Sequence, residues 1–359
     1  MYLCQYGYRL SAPRRAKLGA LENGNVTHYV LENFFVENKA VPFENIANDI
    51  EGVREKTAVL LEQYLEQFMG GAKGKPASLL SKLRGMKDSL SLLIINIAKE
   101  FSVSDFRMSD FELGIHPREA VKPVPIHSEN GTEITVIGKI DRVDDCEIAG
   151  TRYVRVVDYK TGMKSFKLED VYNGLSLQML IYLDQLCSAE EGRFKGSVPA
   201  GVLYMPAYSA TLETESSDIV TEKIESKRDS SLKRKGMLID DENLDVCRAM
   251  EKDMEGVFMP ARLTKSNTLD KKSNVYTPED YDVIRAYVRW IIGYTAERML
   301  EGRFEPSPLQ DARLACEQCD YFAICRYEGI ARSKTKSEDV LSQMTLRMNG
   351  AAEEVENNG

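Results

Sequence analysis

Two aspartates and a lysine in the middle of the chain lie where two predicted β-strands bring them together. Asp158 and Lys160 are two residues apart, so on a strand their side chains share a face and lie about 7 Å apart. Asp141 belongs to the neighbouring strand of the same predicted hairpin. Carboxylate oxygens are the ligands that Mg²⁺ prefers, and an ammonium group can hold the attacking water. The set therefore predicts metal-dependent hydrolysis of a phosphodiester.

A surface hairpin whose acids simply pair with bases would show similar residues. The surroundings favour a site instead, because Asp158 and Lys160 follow an apolar run at 154–157 and precede a glycine at 162. They lie where a buried strand meets its loop, a frequent location of sites in α/β sheets. A carboxylate there would be costly without a positive partner such as a metal.

The seven cysteines form a second set with chemical potential. Three are isolated, one is near the N-terminus and three are close together near the C-terminus: Cys146, Cys187 and Cys247; Cys4; and Cys316, Cys319 and Cys325. Thiols stay reduced in the cytoplasm, so metal ligation is favoured over disulfides. The thiolates alone suit an iron–sulfur cluster or a four-cysteine zinc site equally well.

The hydrophobic pattern alternates between helical and strand periods. The predicted elements are a helix at 25–35 carrying His28, helices across 43–104, strands at 106–113, 132–143 and 153–159, a helix at 170–186, a strand at 201–205 and a helix at 278–300. Thr277 is the predicted N-cap of the last helix, Pro278 starts it and Gly302 follows it. Helices around a hairpin and a further strand predict an α/β core.

We expect the chain to divide into six segments. They are the N-terminal cysteine and His28 helix at 1–42, a helical insertion at 43–104, the α/β core at 105–205, a charged insertion with little regular structure at 206–275, the long helix with the cysteine group at 276–330, and a disordered tail at 331–359. The glycine–lysine loop at 70–76 is a linker, because Met69 and Pro76 occupy positions where a P-loop needs glycine and Ser or Thr.

Composition limits the function classes further. Lys and Arg number 47 against 56 Asp and Glu, a formal net charge of −9 that would repel a polyanion from the molecule as a whole. Two basic clusters nevertheless occur: Arg9, Arg14, Arg15 and Lys17; and Lys227, Arg228, Lys233, Arg234 and Lys235. No membrane-length apolar run and no signal peptide are visible, so we expect a cytoplasmic protein with no membrane partner.

These motifs together resemble those of the PD-(D/E)XK nucleases, in the RecB-like branch. Ile140-Asp141 is similar to the family's first acidic element, and Asp158-Tyr159-Lys160 to its D/E-x-K element. Gly24-x3-His28-x3-Glu32 resembles the N-terminal helix motif of that branch, and Gln178-x3-Tyr182 resembles its Q-x3-Y motif.

The resemblance implies a nuclease fold and a set of site residues. The fold is a small central mixed sheet flanked by helices, with helical insertions and an iron–sulfur staple joining the termini. His28, Asp141, Asp158 and the backbone carbonyl of Tyr159 are expected to hold Mg²⁺ or Mn²⁺, with Lys160 orienting or deprotonating the water. Gln178 and Tyr182 are expected to organise the site or to contact DNA. Glu112 and Asp144 are weaker candidates, and Asp144 is expected to pair with Arg142 or the adjacent loop.

The cysteines carry the resemblance further, because one followed by three is the arrangement that holds a [4Fe–4S] cluster in several RecB-like nucleases. It implies that Cys4, Cys316, Cys319 and Cys325 bind such a cluster. The likeness covers almost the whole chain and is greatest to the nuclease region of the AddB family of bacterial AddAB helicase–nucleases. It implies a DNA exonuclease acting on single-stranded or unwound duplex ends in double-strand break repair, with an AddA-type helicase subunit as partner. We also expect a piece of a longer polypeptide.

Two alternatives remain open from the sequence. A stand-alone RecB-like iron–sulfur exonuclease of the CRISPR-adaptation type is one, although the segments at 43–104 and 206–275 count against it. A non-catalytic DNA-end-binding module is the other, which the complete Asp-Asp-x-Lys set disfavours.

Overall fold

A computed structural model describes residues 7–9, 20–160, 162, 165–207, 229–309, 316, 319–327 and 339–350, with side chains inside the first helix described from residue 23 onward. Its centre is a six-stranded mixed sheet. The strands are β1 (Arg107–Ile115), β4 (Gly138–Ile148), β5 (Thr151–Lys160), β6 (Val198–Pro206), β7 (Lys235–Ile239) and β8 (Val275–Tyr276), in that spatial order. The pairs β5–β6 and β7–β8 are parallel, and the others are antiparallel. A separate hairpin pairs β2 (Ile126–His127) with β3 (Glu133–Ile134).

Helices from the first third of the chain cover one face of the sheet. They are α1 (Ala20–Glu37), α2 (Phe43–Asn48), α3 (Ile50–Met69) and α4 (Ala77–Ser102). Asp49 caps α3 by accepting from the Gly52 N–H, and Gly70 ends it in the left-handed conformation. Ile94, Ile97 and Phe101 of α4 are fully buried in the core between these helices and the sheet. These bounds agree with the predicted helices at 25–35 and 43–104.

Helices from the remainder of the chain complete the fold, most of them on the opposite face. They are α5 (Leu168–Tyr172), α6 (Gln178–Cys187), α7 (Asp245–Met250), α8 (Pro278–Leu300), α9 (Phe322–Cys325) and α10 (Val340–Met348). The predicted caps of α8 are confirmed, because Thr277 forms a capping box with Asp280 and Pro278 begins the helix. The single helix predicted at 170–186 is wrong. It is divided into α5 and α6 by a turn in which Gly174 and Ser176 adopt positive φ angles.

Two expectations of little regular structure are also wrong for the described residues. Residues 229–275 contribute β7, α7 and β8, and Met237 and Leu238 of β7 are fully buried in the sheet. The predicted disordered tail contains α10, whose Met344 is fully buried and packs with residues of α5 and α8. Residues 208–228, 328–338 and 351–359 lie outside the described residues, and the six-segment division stays a prediction.

A cluster of buried charges ties α4 to the sheet. Arg142 and Arg155 both contact Asp144, with nitrogen–oxygen distances of 2.8 and 2.9 Å. Arg155 and Arg234 both contact Glu100 of α4, at 2.5 and 2.6 Å. All five side chains are buried. Arg234, a member of the second basic cluster, therefore lies in the interior with Glu100 and is not part of the protein surface.

No helix in the described part of the chain combines the length and the apolar composition that crossing a bilayer requires.

Candidate active site

The β4–β5 hairpin brings the two predicted aspartates next to each other. Arg142 is paired with Val157 across the hairpin, so Asp141 and Asp158 are the next residues on either strand and share the opposite face. A tight turn at Ala149-Gly150, both with positive φ, fixes this register. Asp158 is almost fully buried, whereas the side chain of Asp141 keeps 17% of its exposure. Oδ2 of Asp141 accepts a hydrogen bond from the Tyr159 N–H at 2.9 Å.

His28 reaches the hairpin from α1. Its Nε2 lies 3.5 Å from Oδ2 of Asp141, and its Nδ1 lies 2.8 Å from Oε1 of Glu112. The imidazole also packs edge-on against the Tyr159 ring, with centroids 5.4 Å apart. A proton on Nδ1, donated to Glu112, leaves the Nε2 lone pair directed towards Asp141 and available to a metal.

Glu112 is the residue that sequence reasoning ranked too low. It lies on β1 between Phe111 and Leu113, which pair with Arg142 and Ile140, and so stands opposite Asp141. Its φ angle is +51°, a strained conformation for a residue with a side chain, and such strain is concentrated at functional sites. An acid on the strand beside the first motif was the available signal, but the contact with His28 depends on how α1 packs.

Lys160 lies beside Asp158 as predicted. Its Nζ is 2.6 Å from Oδ2 of Asp158, and its side chain is about one-third exposed. The amine is thus held against one carboxylate of the site while remaining accessible from solvent. A second lysine, Lys139, contacts Oε2 of Glu112 at 2.7 Å from the exposed side.

Gln178 and Tyr182 contact each other, and Tyr182 also contacts the start of β4. Gln178 donates to the Tyr182 hydroxyl at 3.2 Å. The Tyr182 ring lies directly on Gly138, the first residue of β4. A Cβ at position 138 would overlap the hydroxyl and lie 2.8 Å from two ring carbons. Tyr182 therefore packs on the strand that carries Asp141, and the predicted roles of the pair in organising the site or contacting DNA stay predictions.

Asp144 and Tyr159 are two further residues that the sequence predicts near the site. Asp144 is fully buried and pairs with Arg142 as expected, so it belongs to the buried charge cluster. Tyr159 contacts the site through its N–H and its ring, while the role of its carbonyl oxygen as a ligand stays a prediction.

The electrostatics of the site are those of a crowded set of acids beside one imidazole. Burial raises the pKa of Asp141 to about 6; His28 opposes this shift, and the nearby Asp158 charge adds to it. Burial alone would lower the pKa of His28, but the Glu112 hydrogen bond and the Asp141 charge raise it overall. Burial likewise opposes ionisation of Glu112, yet hydrogen bonds from His28 and Lys139 lower its pKa. Such mutual repulsion among carboxylates is relieved when a cation binds.

The donor set fits a divalent metal. Ligand atoms of His28, Glu112 and Asp141 all lie within 4.8 Å of one another, the one group of this kind among the described residues. Two carboxylates and an imidazole provide the oxygen and nitrogen donors that Mg²⁺ or Mn²⁺ accepts.

The three C-terminal cysteines lie within ten residues of one another in the chain. The Cys319 N–H donates to the Cys316 carbonyl at 3.2 Å, and Cys325 ends α9. All three are free thiols, with Cys316 and Cys319 half-buried and Cys325 exposed. Their sulfur atoms do not form a group within 4.8 Å of one another in the described structure. Cys4 lies outside the described residues, so the predicted four-cysteine set stays a prediction.

A mixed sheet lies between helical layers, and an Asp-Asp-x-Lys set lies where the central hairpin meets the loops. Together these features are typical of one class of nucleases. The family model of the PD-(D/E)XK nuclease superfamily matches residues 1–326, and the chain belongs to that superfamily.

Three curated relatives carry the same name. The chain is similar to the B subunit of the ATP-dependent helicase/deoxyribonuclease of Clostridium tetani, with 30% identity over 333 residues covering 91% of this chain and 28% of the relative. The protein of that name from Clostridium kluyveri is 30% identical over 336 residues, covering 91% and 29%. That of Acetivibrio thermocellus is 27% identical over 340 residues, covering 93% and 29%. The chain spans less than a third of the length of these relatives.

Proposed function

We propose that this chain is the metal-dependent DNA exonuclease domain of a bacterial AddAB-type helicase–nuclease. The observation that carries the proposal is the convergence of His28, Asp141, Asp158 and Lys160 at one end of the β4–β5 hairpin. Superfamily membership places phosphodiester hydrolysis first among the reactions that such a set can perform.

The chain's own residues divide the work. His28, Asp141, Asp158, Glu112 and the carbonyl of Tyr159 would hold Mg²⁺ or Mn²⁺. When bound, such a cation lowers the pKa of a water molecule and neutralises charge that develops on the phosphate.

Lys160 acts on the water and on the developing charge. Its ammonium is anchored by Asp158, so it is held in place before substrate binds. From that position Nζ orients the attacking water by donating to it, and its partial exposure leaves room for the phosphate. Gln178 and Tyr182 keep β4, and with it Asp141, in the required register.

The substrate and partner are proposed from the relatives. The name of these relatives joins a helicase to a deoxyribonuclease, and this chain corresponds to less than a third of the length of each relative. We propose DNA as substrate, in the form of single strands or unwound duplex ends, in the cytoplasm. An AddA-type helicase subunit would supply these ends during double-strand break repair.

The cysteines are proposed to hold a [4Fe–4S] cluster through Cys4, Cys316, Cys319 and Cys325. The support is three free thiols close together in one short segment, with a backbone hydrogen bond from Cys319 to Cys316. Joining residue 4 to residue 316 closes a very long loop, which would stabilise the folded chain substantially.

The direct test is cleavage of end-labelled single- and double-stranded DNA with Mg²⁺ by the wild type and by Lys160→Ala. Loss of the amine should reduce the rate by about 10²–10⁴-fold, the usual contribution of a positioned proton-transfer group. Binding of DNA in EDTA should be retained, because the fold does not depend on this partly exposed side chain.

Lys195→Ala is the matched control, since Lys195 is an exposed lysine on the loop before β6. Wild-type cleavage by Lys160→Ala would show that the chemistry is misassigned. A wild type that binds DNA without cutting it under any divalent metal would favour a DNA-end-binding module. Activity that needs a co-purifying helicase subunit would separate the AddAB-type reading from a stand-alone exonuclease.

A further inference from the structure

A basic cleft lies beyond the active site along the same sheet. It has a volume of about 700 Å³ and is formed by residues 230–236, the loop at 255–274, and Ser165 and Phe166 of the chain that follows β5. Six of its described lining residues are cationic: Lys233, Arg234, Lys235, Arg262, Lys271 and Lys272.

The charge of the cleft contrasts with that of the molecule. The chain has a formal net charge of −9, yet Glu255 is the one acidic residue among the described residues that line the cleft. Arg234 is paired with Glu100 at 2.6 Å and Arg262 with Asp270 at 2.8 Å, which leaves four lysines as the source of the positive field. Burial lowers the pKa of Lys233 and the Arg262 charge adds to that shift, whereas Glu251 and Asp270 oppose it without restoring the ordinary value. A bound anion would supply the missing charge.

The cleft is held in shape by backbone contacts. The Asp270 N–H donates to the Arg262 carbonyl at 2.9 Å, and the Asn274 N–H donates to the Pro260 carbonyl at 2.8 Å. Gly256 has a φ of +72°, and a Cβ there would lie 2.8 Å from Cβ of Arg262 and 3.2 Å from Nζ of Lys233. The loop around Gly256 therefore packs tightly against Arg262 and Lys233.

Sheet register relates the cleft to the chemistry. Asp158 is paired with Tyr204 across β5–β6, and Tyr204 is paired with Lys235 across β6–β7. The three residues form a row across adjacent strands and face the same side. With strands about 4.8 Å apart, the Cα of Lys235 lies about 10 Å from that of Asp158. That separation suits phosphates adjacent to the one being cut.

We infer that this cleft binds the sugar–phosphate backbone of the DNA strand next to the scissile phosphate. The inference rests on the proposed function and adds a defined surface to it. Lysine ammonium groups act as point charges for phosphate and read no base edges, so the cleft binds single strands without regard to sequence. The cleft combines residues 230–236 with the loop at 255–274. The sequence pattern identifies only the first of these segments as basic.

The test measures binding apart from cleavage. Fluorescence anisotropy of a labelled oligothymidylate in EDTA, at a series of salt concentrations, compares the wild type with Lys271→Ala/Lys272→Ala. Each phosphate contact on a single strand contributes about 0.7 to the slope of log K against log salt, so the double variant should lose about 1.4. Its affinity at low salt should fall at least about fivefold for the same reason.

Lys39→Ala/Lys73→Ala is the matched control, because it removes the same charge from exposed positions in the α1–α4 layer. Equal slopes for both double variants and the wild type would overturn the inference, and so would failure of the wild type to bind the oligonucleotide at low salt. In Mg²⁺, the cleft variant should raise KM and leave kcat within about twofold, since it lies outside the catalytic set. An inactive wild type that still shows the slope difference would reject the proposed function and retain the cleft.

Discussion

At the scale of single residues, Glu112 connects the backbone conformation to the chemistry. Its left-handed φ brings its carboxylate within 2.8 Å of His28 Nδ1, and Lys139 holds its other oxygen. A carboxylate that accepts from a metal-binding imidazole fixes the ring and its tautomer. In the proposed metal site, Glu112 would therefore act through His28 as well as through its own oxygens.

Glu112→Gln should weaken Mg²⁺ or Mn²⁺ binding by about 10- to 100-fold, the range for carboxylates that orient a metal-binding histidine. Isothermal titration with Mn²⁺ measures the change, and cleavage should recover in part at high metal concentration. Glu119→Gln, an exposed acid just after β1, is the control. Unchanged Mn²⁺ affinity would remove Glu112 from the site.

Gly138 is a second residue whose side chain is restricted by the site's surroundings. Gly138→Ala should lower the free energy of unfolding by about 1–3 kcal/mol, because the new methyl overlaps the Tyr182 ring. Combining it with Tyr182→Phe, which removes the hydroxyl, should recover part of that loss.

Urea unfolding measures both changes. Gly85→Ala on the exposed side of α4 is the control, because a Cβ there meets no atom within 4 Å and helix propensity predicts a gain of up to about 1 kcal/mol. Equal stability of Gly138→Ala and the wild type would mean that Tyr182 moves away from β4 at no cost.

At the scale of elements, the buried charge cluster joins α4 to β4, β5 and the segment before β7. Glu100→Gln should lower the free energy of unfolding at pH 7 by about 3–5 kcal/mol, because it leaves the Arg155 and Arg234 guanidinium groups undercompensated in the interior. Urea unfolding of this variant beside Glu55→Gln, an exposed acid on α3, provides the measurement.

The same cluster sets an acid limit to stability. Burial alone would raise the pKa of Glu100, but Arg234, Arg155 and Arg142 lower it to about 2. Since the ordinary value is 4.5, the folded state holds this proton less tightly than the unfolded state. The contribution of Glu100 is complete above about pH 4.5 and is lost as the pH falls towards 2. Glu100→Gln should show a shallower decline of unfolding free energy over that interval, and an equal decline would contradict the assignment.

The sequence predicts those elements whose caps, turns and apolar pattern all lie within the element itself. α8 has Thr277 at its N-cap and Pro278 at its first turn, and the hairpin has a glycine turn between apolar strands. β7 is hidden because it has only five residues and begins inside a basic cluster, at Lys235, and because Arg234 is buried by a partner far away in the chain. α10 is hidden because its apolar spacing lies between charged segments.

The proposed catalytic residues also divide into those that local sequence predicts and those that depend on distant contacts. Asp141, Asp158 and Lys160 are predictable because strand periodicity alone places them together. The approach of His28 and the contribution of Glu112 depend on tertiary packing of α1 across β1, which spacing does not encode.

At the scale of the whole molecule, the proposed cluster would join the two ends of the nuclease fold. Cys319→Ala, prepared without oxygen, should lose the visible absorbance of an iron–sulfur cluster and unfold at a lower temperature, because a closed loop is released. Cys146→Ala is the control, since Cys146 is a half-buried cysteine on β4. Metal analysis decides between iron and zinc, and a colourless wild type that contains zinc would contradict the cluster.

The packing of α10 also has a practical consequence for recombinant work. The family match stops at residue 326, a natural boundary for an expressed fragment. A fragment ending there would lack Met344, which is fully buried, and Arg347, which donates to the Tyr172 carbonyl at 3.2 Å and the Tyr287 hydroxyl at 2.9 Å. It would present an open apolar strip along α8 and would tend to aggregate during purification. An expressed domain should therefore extend through residue 350, with any affinity tag placed after this helix.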